Sequence, residues 1–143
     1  MILIDTDVCI DLLKGNKKIL RRREAYDGPI GICFMTIAEL FYGAQKSRDA
    51  ARNIGTVEKL LMTLEIVHSD LSILKRFGII KAQLQADGLP IADADILIAS
   101  ATLERAEKLI TGNTKHFDRI AGLTLEDWRQ EERRKASKTS TEI

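Results

Sequence analysis

Short apolar runs alternate along the chain with longer stretches of helical spacing. Ile2-Leu3-Ile4 has no polar position and reads as a strand buried on both faces, as parallel strands are. Val8, Ile10, Leu12 and Leu13 predict a short helix closed at Gly15. Asn16 is placed to cap a second helix over Lys17 to Tyr26, which Gly28-Pro29 breaks. Ile30 to Phe34 reads as a second strand. Thr36 and Glu39 stand at capping-box spacing and open a helix through Leu40, Phe41 and Ala44, with Phe41 and Tyr42 read as core. A helix over 49–63 turns Val57, Leu60 and Leu61 inward, and Leu64 to Val67 is a third strand. Asp70 caps a long helix carrying Leu71, Leu74, Phe77, Ile80 and Leu84, ended at Asp87-Gly88. After Pro90, the stretch IADADILIAS starts a buried helix with Ile96, Ala99 and Leu103 on one face. Asp93 fits its N-cap and Asp95 its first turn. Lys108 to Thr111 is a fourth strand, Gly112-Asn113-Thr114 a turn, and Leu123 to Leu125 a short fifth strand.

Strands alternating with helices predict an α/β fold, a single domain over 1–128 with a mainly parallel twisted sheet of four to five strands flanked by helices. Past Trp128 the chain turns polar, and 129–143 reads as a frayed or disordered tail. In such sheets the site lies beyond the carboxyl ends of the strands. That rule gathers the acids: Asp5 ends strand one, Glu39 opens the helix after strand two, Asp93 and Asp95 open the helix before strand four, and Asn113 and Asp118 follow it.

The 143 residues carry a net charge of +1, so no global basic field marks nucleic acid, and any such ligand must meet local patches. Lys17, Lys18, Arg21, Arg22 and Arg23 form the best candidate for gripping RNA phosphates, or else an ordinary solvated helix face. No apolar run suits a membrane span or signal peptide, and Cys9 and Cys33 sit among apolar residues, which points to a reducing cytoplasm.

Several carboxylates in one cleft cannot all ionise cheaply, and a hard divalent cation resolves the conflict. No thiol or imidazole pair is placed for zinc, so Mg²⁺, or Mn²⁺ in its place, is favoured. Glu39 is either part of that site or committed to the capping box.

Four stretches, ILIDTDVCIDLLKG, MTIAELFYGAQKS, PIADADILIAS and TGNTKHFDRIAGLTLEDW, resemble the PIN-domain ribonucleases of the VapC toxin type, over residues 2 to 128. The resemblance implies a metal site of Asp5, Glu39 and Asp95, with Asn113 at a fourth polar position and Asp93 auxiliary. His116 stands where relatives often carry an acid, and Asp118 is a candidate to compensate. Thr6 is a candidate to orient Asp5. It further implies an endoribonuclease acting on structured RNA such as tRNA, a homodimer, and a small antitoxin that blocks the acidic groove and supplies any DNA binding. Two alternatives stay open. Asp5-Thr6-Asp7-Val8 also fits the nucleophile motif of haloacid-dehalogenase-like phosphatases, with Asp7 as the acid. Asn113, a neutral amide, leaves room for a degenerate PIN domain that binds RNA or protein without cutting.

Overall fold

The computed structural model describes residues 1–130. Five short parallel strands make one sheet: β1 (Ile2–Ile4), β2 (Ile30–Cys33), β3 (Glu65–Val67), β4 (Leu109–Ile110) and β5 (Leu125–Glu126), in the order β3-β2-β1-β4-β5. Helices α1 (Thr6–Leu13), α2 (Lys17–Ala25), α3 (Phe34–Gln45) and α4 (Ala50–Leu61) come before β3, while α5 (Leu71–Ala86) and α6 (Asp93–Arg105) return the chain to β4 and α7 (Thr114–Phe117) leads to β5. Strand pleat divides the core. Ile2 and Ile4 pack with Val8, Leu12, Ile19, Leu40 and Val57 on one face, and Leu3 packs with Ile73, Ile80, Ile96 and Phe117 on the other. The expected sheet, flanked by helices on both faces, is therefore present.

The strand order reverses between β1 and β4. Such a switch point opens a crevice beyond the carboxyl ends of the two strands. Asp5 leaves β1 there, its N–H donating to Ile110 O at 2.9 Å, and Thr111 leaves β4 there.

Several expectations need correction. The helix after β2 begins at Phe34, with Cys33 as N-cap, so Thr36 lies inside it and there is no capping box. The inward stripe of α5 is Ile73, Ile80 and Leu84, with Phe77 half-buried, whereas Leu71 and Leu74 are exposed. The expected and observed stripes share Phe77, Ile80 and Leu84 and differ only in the first turn, where Ile73 turns inward in place of Leu71 and Leu74. Tyr42 is 67% exposed and not core. β5 falls on Leu125–Glu126, because Leu125 and Glu126 register against Leu109 and Ile110, while Leu123 packs into the core. Helix α7 occupies residues expected only to end a turn.

The basic helix is not one polar face. Arg22 donates to Glu126 at 2.9 Å and to Gln130 O at 3.0 Å, and Arg23 donates to the Thr63 hydroxyl at 2.7 Å. These two tie α2 to the rest of the fold. Lys17, Lys18 and Arg21 stay exposed. Arg129 also belongs to the fold, since it donates to Asp11 at 2.9 Å. The rest of the expected tail, 131–143, lies outside the described residues. Among the described residues no helix is long and apolar enough to cross a membrane.

Candidate active site

Asp5 is the buried charge at the centre of the crevice, 5% exposed. Its Oδ1 accepts the Thr6 backbone N–H at 2.8 Å, and its Oδ2 accepts the Thr111 hydroxyl at 2.8 Å. Burial pushes its pKa up to about 7. The Thr111 and Thr6 hydrogen bonds pull against this, and the charges of Asp7 and Asp95 add to the rise. Asp5 does serve as the N-cap of α1. One adjacent N–H does not account for a carboxylate sunk this deep, however.

Glu39 is freed from capping. Its Oε1 accepts the Thr6 hydroxyl at 2.9 Å, with the Thr36 hydroxyl oxygen 3.2 Å from the same Thr6 oxygen. Thr6 thus serves both acids, Asp5 through its backbone and Glu39 through its side chain. Asp95 lies in the first turn of α6, where Ala92 is the N-cap and no side chain caps. Asp93 is consequently no cap. It pairs with Lys81 Nζ at 2.9 Å, out toward solvent. His116 Nε2 lies 2.9 Å from Asp95 Oδ2 and so fixes the rotation of that carboxylate. Asn113 is exposed, and its N–H donates to the Thr111 hydroxyl at 3.0 Å. Asp118 is the exposed C-cap residue of α7, and no hydrogen bond joins it to the other acids.

The donors facing the crevice are oxygens, with one imidazole behind Asp95. Among the described residues, no three Asp, Glu, His or Cys side chains close into a ready-made ion cage. The oxygen donors are of the kind a hard divalent cation takes. The raised pKa of Asp5 also fits, since a buried carboxylate beside other acids gains from a positive charge.

Sequence reasoning misses two contributors, Thr111 and Arg129. The sequence signal for Thr111 is a polar residue closing the apolar run Leu109-Ile110. Arg129 has no signal, because it stands among polar residues. Asp7 Oδ2 accepts the Gly112 N–H at 2.9 Å and lies 3.6 Å from Arg129 Nη2. A Cβ at Gly112 would sit 2.8 Å from Asp7 Oδ2 and 2.7 Å from Arg129 Cζ, so a side chain there would displace the Arg129 guanidinium and the Asp7 carboxylate. Asp7 therefore pins the loop that carries Thr111 and Asn113. Asp7→Asn keeps an acceptor for Gly112 and is expected to leave activity within a few-fold of wild type. Asp7→Ala orphans that N–H and is expected to cost about 1–3 kcal/mol in denaturant melts. Loss of all activity in Asp7→Asn with stability intact would contradict this role.

Residues 2–123 match the PIN domain family. The tRNA(fMet)-specific endonuclease VapC of Shigella flexneri is 32% identical over 127 residues, covering 88% of this chain and 96% of the relative. Ribonuclease VapC2 of Haemophilus influenzae is 34% identical over the same coverage. Among solved structures, DNA-bound VapBC from Salmonella typhimurium superposes with a TM-score of 0.84 at 33% identity, covering 89% of this chain and 97% of that one. VapBC2 from Rickettsia felis, bound to a DNA fragment from their promoter, gives a TM-score of 0.83 at 33% identity, covering 90% of this chain and 99% of that one. The chain belongs to the PIN-domain family. Within it, it groups with the VapC ribonucleases of VapBC toxin–antitoxin pairs. The phosphatase alternative falls with this assignment, and Asp7, engaged by Gly112 and Arg129, is not free to act as its acid.

Proposed function

We propose that this protein is a Mg²⁺-dependent endoribonuclease, with Mn²⁺ able to substitute, acting on structured RNA, tRNA first, and that a small antitoxin restrains it. The observation that carries the site assignment is Asp5: a carboxylate 5% exposed, at the switch point, with Asp95 close enough to raise its pKa. Asp5, Asp95 and Glu39 would hold the metal. When bound, it supplies Lewis acidity and a water acidified enough to attack phosphorus. The protein's own part is orientation. Thr111 and the Thr6 backbone aim Asp5, the Thr6 hydroxyl aims Glu39, and His116 aims Asp95. Asn113, exposed and tied to Thr111 by its backbone, would orient water. Asp93 and Asp118 have no part in this scheme.

The curated relatives named as tRNA(fMet)-specific endonucleases support tRNA as substrate. Exposed Lys17, Lys18 and Arg21 offer phosphate contacts. A mainly apolar groove of about 360 Å³, lined by Ile10, Leu13, Leu40, Ala44 and Val57 with Glu39 among them, supports an antitoxin segment lying against Glu39. DNA binding would then come from the antitoxin. Exposed Leu71, Leu74 and Ile79 on α5 support self-association as a homodimer.

The test is purified protein with total tRNA, with and without Mg²⁺. Cleavage with 5′-phosphate products is expected, and excess EDTA should stop it. Cleavage that persists in EDTA, or leaves 2′,3′-cyclic ends, would mean side-chain acid–base chemistry instead. Binding without cleavage at any metal concentration would restore the degenerate-domain alternative.

A further inference from the structure

Helix α3 carries Glu39 to the crevice, and it presents a second group close by. Tyr42 follows Glu39 by three residues. Side chains so spaced are surface neighbours, with roughly 5–6 Å between their Cβ atoms. The Tyr42 ring is 67% exposed, although Leu40 and Ala44 on the same helix are buried. Among the described residues its hydroxyl makes no hydrogen bond. Lys46 Nζ lies over one face of the ring, 4.9 Å from its centroid, which braces the ring and puts a positive charge on that face. The apolar groove next to Glu39 is lined by Leu40, Gly43 and Ala44 and does not include Tyr42.

An exposed aromatic ring with a cation over one face leaves the other face to a base, and stacking beside a cation that can meet phosphate is how single-stranded nucleic acid is held. Bases splayed out of RNA loops are read in this way. Stacked nucleotides advance by about 3.4 Å along a strand, so a ring one helical turn from Glu39 is within one or two nucleotides of a phosphate held at the acids. We infer that Tyr42, braced by Lys46, is the stacking platform for an unpaired base flanking the scissile phosphate. The inference rests on the ribonuclease reading above and adds a substrate subsite to it.

Two measurements test it, one of which needs no cleavage. Trp128, the only tryptophan, is 2% exposed, so an indole at position 42 reports separately. In Tyr42→Trp, fluorescence is expected to be quenched by a mixed-sequence single-stranded decaribonucleotide in EDTA. In tRNA cleavage with Mg²⁺, Tyr42→Ala is expected to raise KM about tenfold and leave kcat within about twofold. Tyr42→Phe, which keeps the ring, should bring KM back to near wild type, and Lys46→Ala should flatten the salt dependence of KM. Quenching without wild-type cleavage would sink the ribonuclease reading and keep the platform. Absent quenching, or an unchanged KM in Tyr42→Ala, would overturn the platform. So would antitoxin binding lost in Tyr42→Ala with RNA parameters intact, since the surface would then belong to the protein partner.

Discussion

Asp95→Asn is expected to lower RNA cleavage by about 10³-fold or more, while the metal-free protein melts within about 1 kcal/mol of wild type. The rate loss follows from the chemistry assigned to the site. Removing a ligand charge forfeits several kcal/mol of transition-state stabilisation, and about 1.36 kcal/mol is tenfold in rate. The small stability change is a balance of opposed effects. Asp95 sits in the first turn of α6, where a negative charge is worth about 0.3–1 kcal/mol. Against this, its charge raises the cost of ionising Asp5, and the amide relieves that. Asn also keeps an oxygen toward His116 Nε2, the contact now at 2.9 Å. Asp95→Ala loses that contact as well and should be the less stable of the two. Melts in EDTA and in Mg²⁺ complete the comparison. Mg²⁺ should raise the wild-type melting temperature by binding the native state, and raise that of Asp95→Asn far less. Equal Mg²⁺ shifts together with retained nuclease activity would remove Asp95 from the site.

Much of this arrangement is legible in the chain. Apolar runs mark β1, β2 and β4, and the switch-point rule gathers Asp5, Glu39 and Asp95 together with Asp93, Asn113 and Asp118, from which only the family resemblance singles out the first three. Local signals mislead where tertiary contacts outweigh them. Thr36 and Glu39 have capping-box spacing, but β2 ends directly into α3 and Glu39 turns to the Thr6 hydroxyl instead. Asp93 resembles a cap, yet the helix opens on Ala92. Arg21, Arg22 and Arg23 look alike in sequence. Only the fold brings Glu126 and Thr63 to the last two. The Asp7–Gly112–Arg129 contact joins residues more than a hundred positions apart, and no periodicity carries such a signal. The buried α5 stripe keeps the expected Phe77, Ile80 and Leu84 but has Ile73 in place of Leu71 and Leu74, a choice that partner packing resolves and composition does not.

Asp5 is expected to make the metal-free protein less stable as pH rises, opposite to the usual behaviour of a carboxylate. Its folded pKa is about 7, against an ordinary value of 3.8. The folded state thus holds the proton more tightly than the unfolded chain does. The stability this provides is fully present below about pH 4 and is lost progressively as pH climbs through about 7, where the buried group must ionise. A tenfold difference in proton affinity is worth about 1.36 kcal/mol, so the whole effect is on the order of a few kcal/mol. Asp7, whose pKa burial also raises, adds a contribution of the same sign. Asp5→Asn isolates the Asp5 share, because the amide is neutral throughout; its oxygen can still accept the Thr6 N–H, while its NH2 takes the place of the oxygen that accepts from Thr111 and can donate to that hydroxyl instead. Melting in EDTA at pH 5 and pH 8 should show the two proteins close at pH 5 and Asp5→Asn several degrees higher at pH 8. Mg²⁺ should reverse that order at pH 8, because the cation stabilises the ionised carboxylate that the bare crevice penalises. Asp5→Asn should be inactive at both pH values. A stability gap that is the same at pH 5 and pH 8 would show that Asp5 is ionised across this range. The strain attributed to the crevice would then lie elsewhere.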